Sequence, residues 1–235
     1  MIVYTSPQSK ISEAFRVLKT SVLYSLRDHR PPKALMVTST QPLEGKTTIS
    51  SNLALTMVQS GLKVILVDAD LRRPSIHTVY LKDINGGPGL SSYLNGSSGM
   101  DNIVYKAGID GLDIIPAGPI MPNPADLIDS KRMKDLIDNL VKKYDNVILD
   151  GIPVMELADA RLLSRQVDSV LLVASVGIVD REGLRNSMED LIKVGARIIG
   201  VVVNRLEFGN KSGSVYDYYY VSKDAGKESF KFAQH

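Results

Sequence analysis

Residues 34–48 read ALMVTSTQPLEGKTT, and this stretch decides the fold. Ala34 to Ser39 form an apolar run without polar alternation. A strand covered on both faces looks like this, which is the mark of a parallel sheet. Gly45-Lys46-Thr47-Thr48 then open residues 45–60, which suit a helix stopped by Gly61. A buried strand, a glycine-bearing turn and a helix start, in that order, make an anion site. Backbone N–H groups and the positive helix end attract phosphate oxygens. Lys46 can reach β- and γ-phosphates, and the Thr47 hydroxyl can ligate magnesium. The strict phosphate-loop pattern asks for glycine at position 40, where this chain has Thr40. The weight therefore rests on where the Gly-Lys-Thr triplet stands, between strand and helix.

The same alternation runs outward from that stretch. Upstream, Ile11, Phe15, Leu18, Val22 and Leu26 recur at spacings of three and four, so residues 9–28 read as an amphipathic helix. Ser9 or Ser12 can cap it and Pro31-Pro32 end it. Downstream, residues 63–68, 112–116, 146–150, 168–174 and 197–204 read as strands. Residues 124–143, with a break near Ser130, and 180–194 read as helices. Residues 86–99 read as loop with one short helix. Strands alternating with helices predict an α/β fold of the P-loop NTPase kind, with a mostly parallel central sheet flanked by helices. One domain is expected over residues 1–207, followed by a polar, mobile tail over 208–235.

Two strands end in aspartate: Asp68, followed by Ala69-Asp70-Leu71-Arg72-Arg73, and Asp150. In an open parallel sheet the carboxyl ends of the strands line the ligand crevice. Asp68, Asp70 and Asp150 are therefore expected to converge near a phosphate held by the loop after the first strand. Carboxylates beside Mg-ATP can serve magnesium, often through its waters, or accept the proton of an attacking hydroxyl. A strand-terminal aspartate can equally be a cap or turn former, and Arg72 and Arg73 can face phosphate or solvent.

Composition narrows the classes. The chain has 235 residues, 44% hydrophobic and 23% charged, as in an ordinary globular protein. A net charge of +2 is too mild to argue for nucleic acid. There is no cysteine, which excludes disulfides, zinc–thiolate sites and cysteine-ligated clusters and agrees with a cytoplasmic setting. No apolar run approaches the roughly 20 residues of a membrane span. The N-terminus lacks the pattern of a signal peptide. Any membrane attachment is expected through a partner or through a part of the polypeptide outside this chain.

Five segments together resemble one family. PLEGKTT at 42–48, VILVDADLRRPSIH at 64–77 and VILDGIPV at 147–154 look like the Walker A, Walker A′ and Walker B motifs of the bacterial tyrosine kinases. AGPIMPNPADLIDSKRM at 117–133 resembles the family's Pro-Asn-Pro segment. ISEAFRVLKTSV at 11–22 resembles its N-terminal oligomerisation helix. The resemblance implies a nucleotide site at Leu43, Glu44, Gly45, Lys46, Thr47 and Thr48. It implies catalysis by Lys46, Asp68 and Asp70, with Asp68 as base, and magnesium near Thr47, Asp70 and Asp150. Asn204 would meet the adenine base, although a cap or turn role fits it too. Ring assembly would use Glu13, Arg16 and Lys19. The chain departs from the family's pattern at Lys19, where arginine is usual, and at Gly151, where threonine is.

Ten tyrosines occur in the chain, and four of them are Tyr216, Tyr218, Tyr219 and Tyr220. The resemblance implies that this cluster is autophosphorylated between subunits. Each phosphate would add about −1.5 to −2 charges and weaken docking of the tail. A short aromatic edge strand is the plainer reading of the same cluster. The resemblance further implies control of exopolysaccharide or capsule synthesis, a membrane co-polymerase as activator, a tyrosine phosphatase as antagonist, and work at the inner face of the cell membrane. Two other readings are open: a partitioning or positioning ATPase of the same fold, and a non-catalytic ATP-binding scaffold. Against the first, Gln41 stands where such ATPases carry an early lysine.

Overall fold

The computed structural model describes residues 1–25, 31–81, 87–155 and 157–206. Its elements in chain order are α1 (Ile2–Thr5), α2 (Lys10–Leu23), β1 (Ala34–Ser39), α3 (Lys46–Val58), β2 (Val64–Asp68), α4 (Ile76–Tyr80), α5 (Leu90–Leu94), β3 (Tyr105–Lys106), β4 (Leu112–Ile115), α6 (Pro124–Ile128), α7 (Lys131–Lys143), β5 (Asn146–Asp150), α8 (Ala158–Ser164), β6 (Ser169–Ser175), α9 (Arg181–Lys193) and β7 (Ile198–Asn204). Among the described residues seven strands make one sheet, ordered β3-β4-β2-β5-β1-β6-β7. All neighbours are parallel except β3 and β4. Residues Met1–Arg205 form one compact unit. The tyrosines Tyr216, Tyr218, Tyr219 and Tyr220 lie outside the described residues. No helix among the described residues is long and apolar enough to cross a membrane.

The apolar runs become the middle of the sheet because both faces are covered. β1, β2, β5 and β6 are buried along their whole length. On one face Met133, Leu136, Ile137 and Leu140 of α7, with Leu163 of α8 and Leu191 of α9, pack on alternate strand residues. On the other, Val3 of α1, Phe15 and Val22 of α2 and Ile49, Leu53 and Met57 of α3 fill the second layer. α3 is buried nearly all round, since it lies between the sheet and α1 and α2.

Three local features differ from or refine the sequence expectation. α2 is capped by Ser9, whose hydroxyl accepts from Ser12 N at 3.1 Å. Its buried residues are Ser12, Phe15 and Val22, while Ile11 is exposed. Ser12 turns inward because its hydroxyl donates to Ser6 O at 2.7 Å, tying the helix start to the turn after α1. The break near Ser130 is a cap: Ser130 Oγ accepts from Met133 N at 3.3 Å and opens α7. The short helices α1, α4 and α8 and the two-residue β3 were not expected.

Candidate active site

Five strand ends meet along the carboxyl edge of the sheet: Ser39, Asp68, Asp150, Ser175 and Asn204. The loop from Thr40 to Gly45 crosses this edge and delivers α3. Gly45 has a φ of 94° and Leu43 one of 64°, both left-handed. Glycine takes that conformation freely; a leucine is strained in it by about 1–2 kcal/mol. Gly45 is further required by space, since a Cβ there would lie 2.3 Å from Asn204 Nδ2. The back of the loop is tied to the end of β7. Asn204 Nδ2 donates to Glu44 O at 2.8 Å, and Arg205 Nη2 donates to Leu43 O at 3.0 Å.

In front of the loop lies a cleft of about 640 Å³, within the range of small-molecule sites. Its wall includes Leu43, Gly45, Lys46, Thr47, Thr48, Asp70, Arg72, Arg73 and Arg205, with Val79, Ile152, Pro153 and Leu157 as an apolar side. Lys46 Nζ sits 3.1 Å from Asp70 Oδ2. Asp70 Oδ1 in turn accepts from Arg73 N at 2.9 Å, which closes the turn after β2. The Thr47 hydroxyl donates to Asp150 Oδ2 at 2.5 Å and lies 2.9 Å from the Ser75 hydroxyl.

Asp68 and Asp150 are fully buried and face each other in register across β2 and β5. Asp68 Oδ2 accepts from Ser75 N and Ile76 N, both at 2.9 Å. Burial, then repulsion from Asp150, pushes the Asp68 carboxyl up to about 7, against the pull of those two N–H groups. Burial pushes Asp150 up to about 6, with Lys46 and the Thr47 hydroxyl opposing. Asp68 Oδ1 and Asp150 Oδ1 are buried and have no hydrogen-bond partner. Among the described residues no three His, Cys, Asp or Glu side chains close on one point as a ready-made metal cage. Magnesium does not need one: one or two carboxylates with substrate phosphates and retained waters suffice. Thr47, the orphaned Asp150 oxygen and Asp70 fit that mode.

Two contacts here were not visible in the sequence. Arg72 forms a fork with the buried Asp159 of α8, Nε to Oδ2 at 2.9 Å and Nη2 to Oδ1 at 3.2 Å. The fork fastens the turn after β2 to the helix after β5. Gly151, the departure from threonine, is filled from behind: a Cβ there would come within 2.6 Å of Met36 Cε and 3.2 Å of Val37 O. Away from the cleft, Arg16 Nη1 pairs with Glu13 Oε2 at 2.6 Å on α2, and Lys19 lies one turn further on. The structure thus brings Lys46, Thr47, Asp68, Asp70 and Asp150 together. It keeps Asp68 and Asp150 beneath the cleft wall and commits the Asn204 amide to the loop backbone.

A family model described as "AAA domain" matches residues 43–200. Tyrosine-protein kinase YwqD of Bacillus subtilis is 37% identical over 225 residues, which is 95% of this chain and 92% of that protein. The chain belongs to the bacterial tyrosine kinase family. Solved structures of bacterial tyrosine kinases share its fold. The kinase domain of the Escherichia coli tyrosine kinase ETK superposes with a TM-score of 0.81 at 32% identity, over 91% of this chain and 84% of that one. The chimerical protein CapA2B2 gives 0.82 at 34% identity, over 87% and 89% of the two chains. The segments around Lys46, Asp68 and Asp150 are therefore those of a kinase family, on a sheet of the P-loop NTPase kind.

Proposed function

We propose that this chain is an ATP-dependent protein tyrosine kinase that phosphorylates its own tyrosines Tyr216, Tyr218, Tyr219 and Tyr220 between subunits. The observation that carries this reading is the buried Asp68–Asp150 pair set behind Lys46 and Thr47, in a family whose relatives are named tyrosine-protein kinases. The loop amides of residues 43–48 take up the phosphates at the start of α3. Lys46 exchanges Asp70 for the β- and γ-phosphates. Thr47, Asp70 and Asp150 would hold Mg²⁺, which would supply neutralisation of the phosphate charge. Once Lys46 and Thr47 have turned to the nucleotide, the hydroxyl contact between Thr47 and Ser75 is given up and Asp68 is uncovered. The tyrosine oxygen then bonds to the γ-phosphorus as the bond to the β,γ-bridging oxygen breaks, and ADP leaves with that electron pair. The tyrosine proton passes to Oδ1 of Asp68, which has no hydrogen-bond partner of its own.

The same reading places the chain in the control of exopolysaccharide or capsule synthesis. A membrane co-polymerase segment activates it at the inner face of the membrane, a ring of copies built on Glu13, Arg16 and Lys19 brings tails to neighbouring sites, and a tyrosine phosphatase resets it. The test is incubation of the purified protein with Mg-ATP, with and without an activator segment, followed by phosphotyrosine detection and mass-spectrometric site mapping. Phosphotyrosine at the four tail positions, lost in Lys46→Met, is the expected result. No phosphotyrosine under either condition sinks the kinase reading, and ATP hydrolysis stimulated by DNA or lipid points instead to a positioning ATPase.

A further inference from the structure

Glu44 occupies the middle of the phosphate loop, yet its side chain takes no part in the cleft wall. It folds back under the loop and is fully buried. Oε2 accepts from Thr40 N at 2.9 Å, so the carboxylate closes a ring over Thr40-Gln41-Pro42-Leu43. Those are the residues where this loop departs from the usual pattern: Thr40 replaces a glycine, and Leu43 is held at a φ of 64°. Glu44 Oε1 has no partner, and neither do the buried hydroxyls of Thr40 and Ser175. Burial lifts the Glu44 carboxyl above its ordinary value, while backbone N–H groups of Gln41, Thr40 and Ser175 draw it down. The backbone carbonyls on either side of this ring are fastened from outside, Glu44 O by Asn204 and Leu43 O by Arg205.

A buried carboxylate behind a polyphosphate site is costly twice over. It loses hydration, and it repels the ligand the loop exists to bind. An apolar side chain would fill the same space without either cost, but it would leave Thr40 N buried and unpaired and the left-handed turn at Leu43 without its internal tie. From this we infer that Glu44 is a positioning residue for nucleotide binding. Its carboxylate is an internal brace that holds the glycine-poor loop in its phosphate-receiving shape, and it acts as a hydrogen-bond acceptor, not as a charge.

The inference rests on the reading that the cleft binds Mg-nucleotide, and acceptor and charge can be separated by substitution. In Glu44→Gln the amide oxygen still accepts from Thr40 N, and the repulsion of phosphate disappears. In Glu44→Ala the brace is gone. The experiment is calorimetric titration of Mg-ADP into the unmutated protein and both variants, with KM for ATP and kcat measured alongside and thermal melts as a check on folding. Glu44→Gln is expected to bind Mg-ADP as tightly as the unmutated protein or a few-fold tighter. Glu44→Ala is expected to bind about tenfold more weakly, with the loss in KM and kcat changed little. Equal affinity in Glu44→Ala, or Glu44→Gln as weak as Glu44→Ala, overturns the inference. Should Glu44→Ala fail to fold, Glu44→Gln decides alone: unweakened binding supports the brace and weakened binding overturns it. If the unmutated protein itself binds no Mg-ADP, the nucleotide reading of the cleft has failed, which is a different result.

Discussion

Asp68 and Asp150 show what a single residue type can be made to do by its surroundings. Both end a buried strand, both are fully covered, and each keeps one oxygen without a partner. Burying two neighbouring carboxylates stabilises their protonated forms, and their affinities rise to about 7 and about 6. The stability of the nucleotide-free protein follows from this. The unfolded chain releases these protons near pH 4, whereas the folded protein keeps them to about pH 6–7. Between those values the folded state binds more protons, so these groups make the protein less stable as pH rises through that window. Asparagine at position 68 can still accept from Ser75 N and Ile76 N without the charge. Asp68→Asn should therefore melt higher than the unmutated protein at pH 8, by roughly 3 °C or more, with the gap closing towards pH 5. It should also lose phosphotyrosine formation. Melting curves across pH 5–8 check this, and a gap that does not widen with pH contradicts it.

At the scale of elements, the sequence spoke clearly where a pattern was long or chemically marked. β1, β2, β5 and β6 were legible because each is an apolar run ending in a small or acidic residue. The turn into α3 was legible because Gly45, Lys46 and Thr47 stand together at its start. α1, α4 and α8 were not, because four, five and seven residues carry too little of the helical period to be read. Nor was the Arg72–Asp159 fork, whose partners are 87 residues apart and meet only once β2 and β5 pair. Glu44 was placed in the loop by its position, but the direction of its side chain depends on tertiary packing. The break before α7 was visible at Ser130 as a capping residue, and its strength can be measured. Ser130→Ala removes the acceptor for Met133 N and should cost about 1 kcal/mol, a fall of about 2–4 °C in Tm. Mg-ADP affinity should stay unchanged, because α7 has no residue in the cleft wall. Altered nucleotide affinity would mean that the cap does more than start a helix.

At the scale of the whole molecule, the proposed transfer between copies needs a surface that gives up its own contacts for those of a neighbour. α2 has the properties of one. Its Glu13–Arg16 pair is half-exposed and lies within one helix turn, where such pairs contribute only about 0.2–0.5 kcal/mol and salt screens them. Arg16 also donates to Pro7 O at 2.5 Å, a contact at the surface that water can replace. Exchanging these for a partner's carboxylate and carbonyl therefore costs little. The same helix exposes Ile11 and Val17, with Tyr4 and Tyr24 close by in sequence, which gives an assembly apolar area to bury. Lys19 offers charge without the bidentate fork of arginine, so assembly should be weak and concentration-dependent. Light scattering after size exclusion, with Mg-ATP present, should show a mass that rises across the micromolar range, and Glu13→Ala/Arg16→Ala should stay monomeric. Mixing active protein with a mass-tagged Lys46→Met chain makes the connection to chemistry. The inactive chain should acquire phosphotyrosine at a rate that rises with concentration, and the α2 substitutions should suppress that transfer while leaving Mg-ADP binding intact. If the Lys46→Met chain stays unlabelled while its active partner is phosphorylated, each tail is served by its own site and assembly on α2 has no part in the reaction.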